Sequence, residues 1–281
     1  MTRDLVTAIA LAALCAGCAA RPEPVVPPAQ ARIADAGARA SALARSGDYA
    51  AAALKFQEAL RIARTIEDAD AIAANAINLS IVYQRLGHQA AARSALGVVL
   101  DDERRAFSER RLVQAELRRA IVDLASGDTR GAAAYAGRAW QRCQKLGCEL
   151  AAAILNVQAD AALEAGAAED SLRLAQAAES SARARADRAE TANALRIIGR
   201  ARTTLGDPAG ALPALEQALE IDRSLADARK IYADLVALAR ASSAKGDAQA
   251  ARGYSERALA ISRAASEAPG GEGTEVQLRL R

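Results

Sequence analysis

Aromatic side chains are nearly missing from this chain of 281 residues: 3% of it is Phe, Trp or Tyr, although 52% is hydrophobic. β-Sheets draw on aromatic and β-branched residues, whereas the alanine that fills the gap here is the strongest helix former. The composition points to an all-α protein. Histidine is scarcer still. His88 is the single one and follows Gly87 in a turn, so neither a His-pair metal site nor a Ser-His-acid triad can be assembled. With no strand to precede it, no glycine-rich phosphate loop is expected. An excess of one charge is lacking too: 37 basic residues stand against 34 acidic ones, a net +3, and no basic stretch is interleaved with aromatics. That leaves out the electrostatic and stacking footprint of a nucleic-acid binder. Of the four cysteines, Cys143 and Cys148 alone lie beyond the first 18 residues. Their spacing is not the two-residue gap of a dithiol oxidoreductase, and no other metal ligands accompany them. Gly147 between them can reverse the chain, so the sulfurs either bond, in an oxidising compartment, or stay as two buried thiols. No enzyme activity, cofactor or metal is expected.

The N-terminus has Arg3 in a short polar start, a mostly apolar run over 5–16, and then Gly17-Cys18. That run is too short to span a bilayer and has the length of a signal-peptide core. Ala16-Gly17-Cys18 resembles a bacterial lipobox. The resemblance implies that residues 1–17 are a signal peptide and that Cys18 becomes the acylated N-terminus, palmitate being one of its chains. With Ala19 next, it implies an outer-membrane lipoprotein facing the periplasm. Cys15 departs from the aliphatic residue usual there, and Leu14 stands one place too early; secretion with cleavage near Ala20, giving a soluble periplasmic protein, is the alternative. Residues 18–29 are Pro-rich and read as an extended tether.

What the chain has in quantity is regularly spaced glycine. Gly47, Gly87, Gly127, Gly166, Gly206 and Gly246 recur at intervals of 40, 40, 39, 40 and 40. Asp48, Asp128, Asp207 and Asp247 directly follow four of them. A glycine that ends one helix in the left-handed conformation, followed by an aspartate that caps the next, makes a helical hairpin. Seven residues before each glycine stand Ala40, Ser80, Ala120, Ala159, Gly199 and Ala239; five after it stand Ala52, Ala92, Ala132, Ser171, Ala211 and Ala251; twelve after it stand Ala59, Val99, Ala139, Ala178, Ala218 and Ala258. Small residues at these points let paired helices touch, and one hairpin cannot bury its own apolar face without neighbours of the same kind.

The pattern resembles the tetratricopeptide repeat family, most clearly at Asn78-Leu79-Ser80-Ile81-Val82-Tyr83-Gln84-Arg85-Leu86-Gly87 and from Gly47-Asp48-Tyr49 to Phe56-Gln57-Glu58-Ala59-Leu60. The period near 40 exceeds the family's 34, as in kinesin-light-chain-like repeats, and the proline that closes a repeat is absent. The resemblance implies six antiparallel hairpins stacked as a right-handed superhelix over 30–266. Helices are expected at 30–46, 49–66, 69–86, 89–104, 109–126, 129–145, 149–165, 168–185, 188–205, 208–224, 227–245 and 248–265. Pro213 predicts a bend or a late helix start. The tail, 267–281, reads as disordered; the alternative, for 274–281 alone, where Val276, Leu278 and Leu280 alternate with polar residues, is a strand that adds to a partner's sheet.

The family's inner-face positions fall on Ile77, Ile81, Leu117, Ile121 and Leu124 along the middle of the groove, and on Asn156, Asn193, Arg196, Arg200 and Arg240 toward its C-terminal end. Asn193, Arg196 and Arg200 share a helix face. An apolar strip leading to guanidinium groups suits a helix or extended peptide bearing an acidic group; the same arginines also suit a solvated face paired with carboxylates such as Asp160 or Glu164. The expected function is a non-catalytic, membrane-anchored scaffold that binds a protein or peptide partner in its groove. Alternatives are a pilotin-like assembly factor for an outer-membrane machine and a regulatory subunit of an envelope enzyme.

Overall fold

The computed structural model describes residues 26–267. Cys18, the expected signal segment and most of the tether lie outside the described residues, as does the tail from 268 onward. Twelve α-helices and no strand make up the described chain: α1 (Pro28–Arg45), α2 (Tyr49–Thr65), α3 (Ala69–Arg85), α4 (Gln89–Leu100), α5 (Glu109–Ala125), α6 (Thr129–Leu146), α7 (Ala151–Glu164), α8 (Ala168–Ala184), α9 (Arg188–Thr204), α10 (Pro208–Ser224), α11 (Ala228–Lys245) and α12 (Ala248–Glu267). They form six antiparallel hairpins in an all-α, tetratricopeptide-like solenoid.

Local chemistry sets the hairpins. All six hinge glycines have positive φ, between 77° and 89°, and a Cβ at any of them would meet nothing within 4 Å. Glycine is required there by backbone conformation and not by space. The aspartates then cap the following helices, Asp48 accepting from Ala51 N, Asp128 from Gly131 N, Asp207 from Gly210 N and Asp247 from Ala250 N. Between hairpins the same left-handed step is taken by Glu67, Ala186 and Ala226, at φ 54° to 55°, each followed by a capping aspartate, Asp68, Asp187 or Asp227.

The small residues at the crossings are buried, completely so at Ala40, Ala52, Ala59, Ser80, Ala92, Ala120, Ala132, Ala139, Ala159, Ser171, Ala178, Ala211 and Ala218. Only in the last hairpin, which no further hairpin follows among the described residues, do Ala239 and Ala251 become partly exposed. Each helix packs on the next in sequence. The first helices of successive hairpins also pack closely, α1 on α3 through to α9 on α11, whereas the backbones of the second helices stay apart and meet only through long side chains, as Arg183 on α8 does with Gln217 on α10. The odd-numbered helices thus form one continuous inner wall, and the even-numbered ones lie outside it.

Four boundaries differ from expectation by two residues or more, the simplest being the end of α12 at Glu267 instead of 265. α4 stops at Leu100 instead of running to 104, because Asp101-Asp102-Glu103 places negative charge at a helix C-terminus, where the macrodipole opposes it, and Asp102 turns back to accept from Arg104 N. α7 starts at Ala151 because the chain first closes a turn from Cys148 N to Cys143 O. α1 starts at Pro28, inside the expected tether, where a first-turn proline loses no bond. Pro213 neither delays nor ends its helix: α10 runs unbroken from Pro208, and the proline sits on the exposed side, where water can satisfy the carbonyl it leaves free.

Candidate functional site

The inner wall divides into an apolar stretch on hairpins two and three and a charged stretch on hairpins four to six. Ile81 is 37% exposed; Ile77 on the same helix and Ile121 and Leu124 on α5 are half-buried. Leu117 is buried and belongs to the core instead of the wall's surface. Asn156 is buried as well and donates to Glu190 O at 3.0 Å and to Glu190 Oε2 at 2.8 Å, so its side-chain amide is committed to the next hairpin.

The arginines of the charged stretch are not equivalent. Arg196 is buried, its Nε donating to Asp234 on α11 and its Nη2 to Asp222 on α10, while its Nη1 donates to Asn193 Oδ1 at 3.1 Å. Asn193 Oδ1 also accepts from Lys230 Nζ at 2.6 Å, and its Nδ2 donates to Glu190 at 3.1 Å. This network bolts hairpin five to hairpin six. Burial pushes the Asp234 carboxyl up to about 7, against the pull of Arg196 and with help from the charge of Asp222. Burial likewise lowers the pKa of Lys230, and Arg196 adds to the effect. Arg200 donates to Asp160 and Glu164 on α7; burial opposes its charge, but those two carboxylates more than offset it, so its pKa is raised. Of the two roles open to these arginines, pairing with neighbouring carboxylates is the one seen. Arg240 is exposed and makes no ion pair among the described residues.

Arg196, Arg200 and Arg240 nevertheless border one cavity of about 460 Å³, bounded by α7, α9 and α11. Its remaining lining mixes apolar Leu163, Val236 and Ala237 with Thr203, Thr204 and Tyr232. With two guanidinium groups already set against four carboxylates, Arg240 supplies the cavity's unneutralised positive charge. A second, more apolar cavity of about 350 Å³ continues from it between α11 and α12, sharing Tyr232, Val236 and Arg240.

Some residues at the wall fall outside the family's inner-face positions and carry no sequence signal of their role. Tyr232 is one. Arg118 is another, reaching across from α5 to Ser80 and Gln84 on α3. Away from the wall, Cys143 and Cys148 are disulfide-bonded across left-handed Gly147, with Cα atoms 4.9 Å apart.

No protein-family model and no curated protein matches this chain. Solved structures do match in fold. The Rap protein complexed with competence and sporulation factor superposes with a TM-score of 0.62 at 18% identity, over 84% of this chain and 67% of that one. Aspartyl phosphate phosphatase F from Bacillus subtilis gives 0.65 at 13% identity, over 86% and 72%. A kinesin light chain with nearly identical TPR-like repeats from Podosopora anserina gives 0.51 at 21%, over 69% and 96%. At these identities the likeness is one of fold, that of a TPR-like helical repeat.

Proposed function

We propose that this chain is a non-catalytic scaffold that holds a protein or peptide partner against its inner wall. The carrying observation is the cavity over α7, α9 and α11, where apolar Leu163 and Val236, the Tyr232 ring and the unpaired Arg240 converge on a wall built by five contacting pairs of first helices. Concave, mostly apolar sites with a few convergent polar groups are where ligands lodge. The similar fold of the Rap protein, solved with competence and sporulation factor, supports the reading. Val236→Asp and Tyr232→Ala change the lining of the cavity while leaving the crossing residues intact. Photo-crosslinking from position 233 followed by mass spectrometry should identify a partner that both variants lose. Recovery of the same crosslinked species from both at unchanged yield would refute the site.

The scaffold reading extends to the envelope. The apolar run at 5–16 and Ala16-Gly17-Cys18 support an acylated Cys18 that anchors the solenoid at the periplasmic face of the outer membrane, with the Pro-rich segment as spacer. Labelling with a radioactive fatty acid should mark the wild type and not Cys18→Ser; label that persists in the variant counts against the anchor.

A further inference from the structure

α5 carries four arginines, and three of them have a carboxylate: Arg110 pairs with Glu149, Arg111 with Asp70 and Arg119 with Asp123. Arg118 has none among the described residues. Its Nε donates to Ser80 Oγ at 3.3 Å and its Nη2 to Gln84 Oε1, both neutral acceptors on α3. Burial, with the charge of Arg85 adding to it, pulls the Arg118 guanidinium down to about 10. It still carries its charge near neutral pH, so a desolvated cation stands without a counter-charge, an expensive arrangement. The acids within reach of α5 are already engaged, Glu116 with Arg138 and Arg142, and Asp123 with Arg93 and Arg119. Arg85, adjacent to Gln84 in sequence, is exposed and has no ion pair among the described residues. One turn before it on the same helix is the exposed Ile81, and α5, which packs on α3, carries the half-buried Ile121 and Leu124.

We propose that hairpins two and three hold the acid-recognition site of the inner wall: Arg85 and Arg118 take the carboxylate of a Glu or Asp side chain whose flanking aliphatic neighbours lie on Ile81, Ile121 and Leu124. The proposal rests on the groove reading above. It shifts the acidic contact away from Arg196 and Arg200, whose charges Asp222, Asp234, Asp160 and Glu164 already meet. Charge complementarity selects the occupant, because a neutral segment on the same aliphatic strip leaves Arg118 as it stands in the free protein. A charge-assisted hydrogen bond is stronger than a neutral one by enough to make a Gln replacement bind about tenfold more weakly.

The test uses the full chain and a phage-displayed library of random twelve-residue peptides. A selected peptide and its twin with the acid replaced by Gln or Asn are then measured by fluorescence anisotropy on wild type, Arg85→Gln and Arg118→Gln. Selected peptides should carry one acidic residue flanked by Leu, Ile or Val, with the twin about tenfold weaker on wild type and within about twofold of its parent on either variant. Arg85 is exposed, so its variant keeps the test intact if Arg118→Gln folds poorly. A twin that binds wild type as tightly as its parent, or a tenfold preference that survives in Arg85→Gln and in folded Arg118→Gln, overturns the acid site while leaving the groove reading standing. Failure of the library to yield any binder overturns both.

Discussion

Gly199 on α9 lies directly against Leu215 on α10: a Cβ at residue 199 would sit 2.3 Å from Leu215 Cγ. The hairpin closes only because residue 199 has no side chain. Gly199→Ala gains about 1 kcal/mol in helix propensity, but the branch carbon of a fully buried leucine has nowhere to move, and overpacking costs about 1–3 kcal/mol. The expected net loss is about 1 kcal/mol in urea denaturation. In a Leu215→Ala background the overpacking is gone, and Gly199→Ala should become neutral or stabilising.

Arg196 is a second point where hairpins five and six depend on each other. Arg196→Met strands Asp222 and Asp234, both buried, and breaking a buried pair in this way costs about 3–5 kcal/mol. Arg240→Met, at an exposed and unpaired arginine, should change stability by less than about 0.5 kcal/mol. Chemical denaturation of the two variants side by side reads the contrast directly.

The raised Asp234 carboxyl makes stability depend on pH. Its value is about 7 in the folded chain against 3.8 for an unperturbed aspartate, so between those pH values the native state holds a proton that the unfolded chain has lost. Where the native state binds more protons, stability falls as pH rises. The contribution is therefore greatest below about pH 4, declines through the interval and is flat above about pH 7. Asp234→Asn should remove that decline from a plot of urea midpoint against pH.

Glu67, Ala186 and Ala226 take the left-handed conformation at the turns between hairpins. A side chain there is strained, although glycine loses more entropy on folding. Each substitution to Gly should raise stability by about 0.5 kcal/mol, whereas Gly206→Ala, at φ 83°, should lower it by about 1 kcal/mol. Urea midpoints of the four single variants check the sign at each turn.

Much of the fold was legible because it is local. A glycine that must adopt positive φ, an aspartate beside it that caps the next helix, and small residues at fixed distances on either side all act within one hairpin. Their recurrence every 40 residues marks each unit. The turns at Glu67, Ala186 and Ala226 perform the same backbone step without glycine and so leave no such mark. The early end of α4 likewise depended on a short acidic run that an averaged period cannot register.

The sequence by itself determined the helical class and the six hairpins, since each follows from short-range backbone and packing preferences; which helices line the inner wall was implied only by the resemblance to tetratricopeptide repeats. Only the tertiary structure decided which charged side chains on that wall are free. Arg200 meets Asp160 from 40 residues away, Arg196 meets Asp234 from 38, and Arg118 is left between Ser80 and Gln84 with no acid among the described residues. Whether a guanidinium is neutralised depends on what a neighbouring hairpin places within a few ångströms of it, and burial then sets how much an absent counter-charge costs.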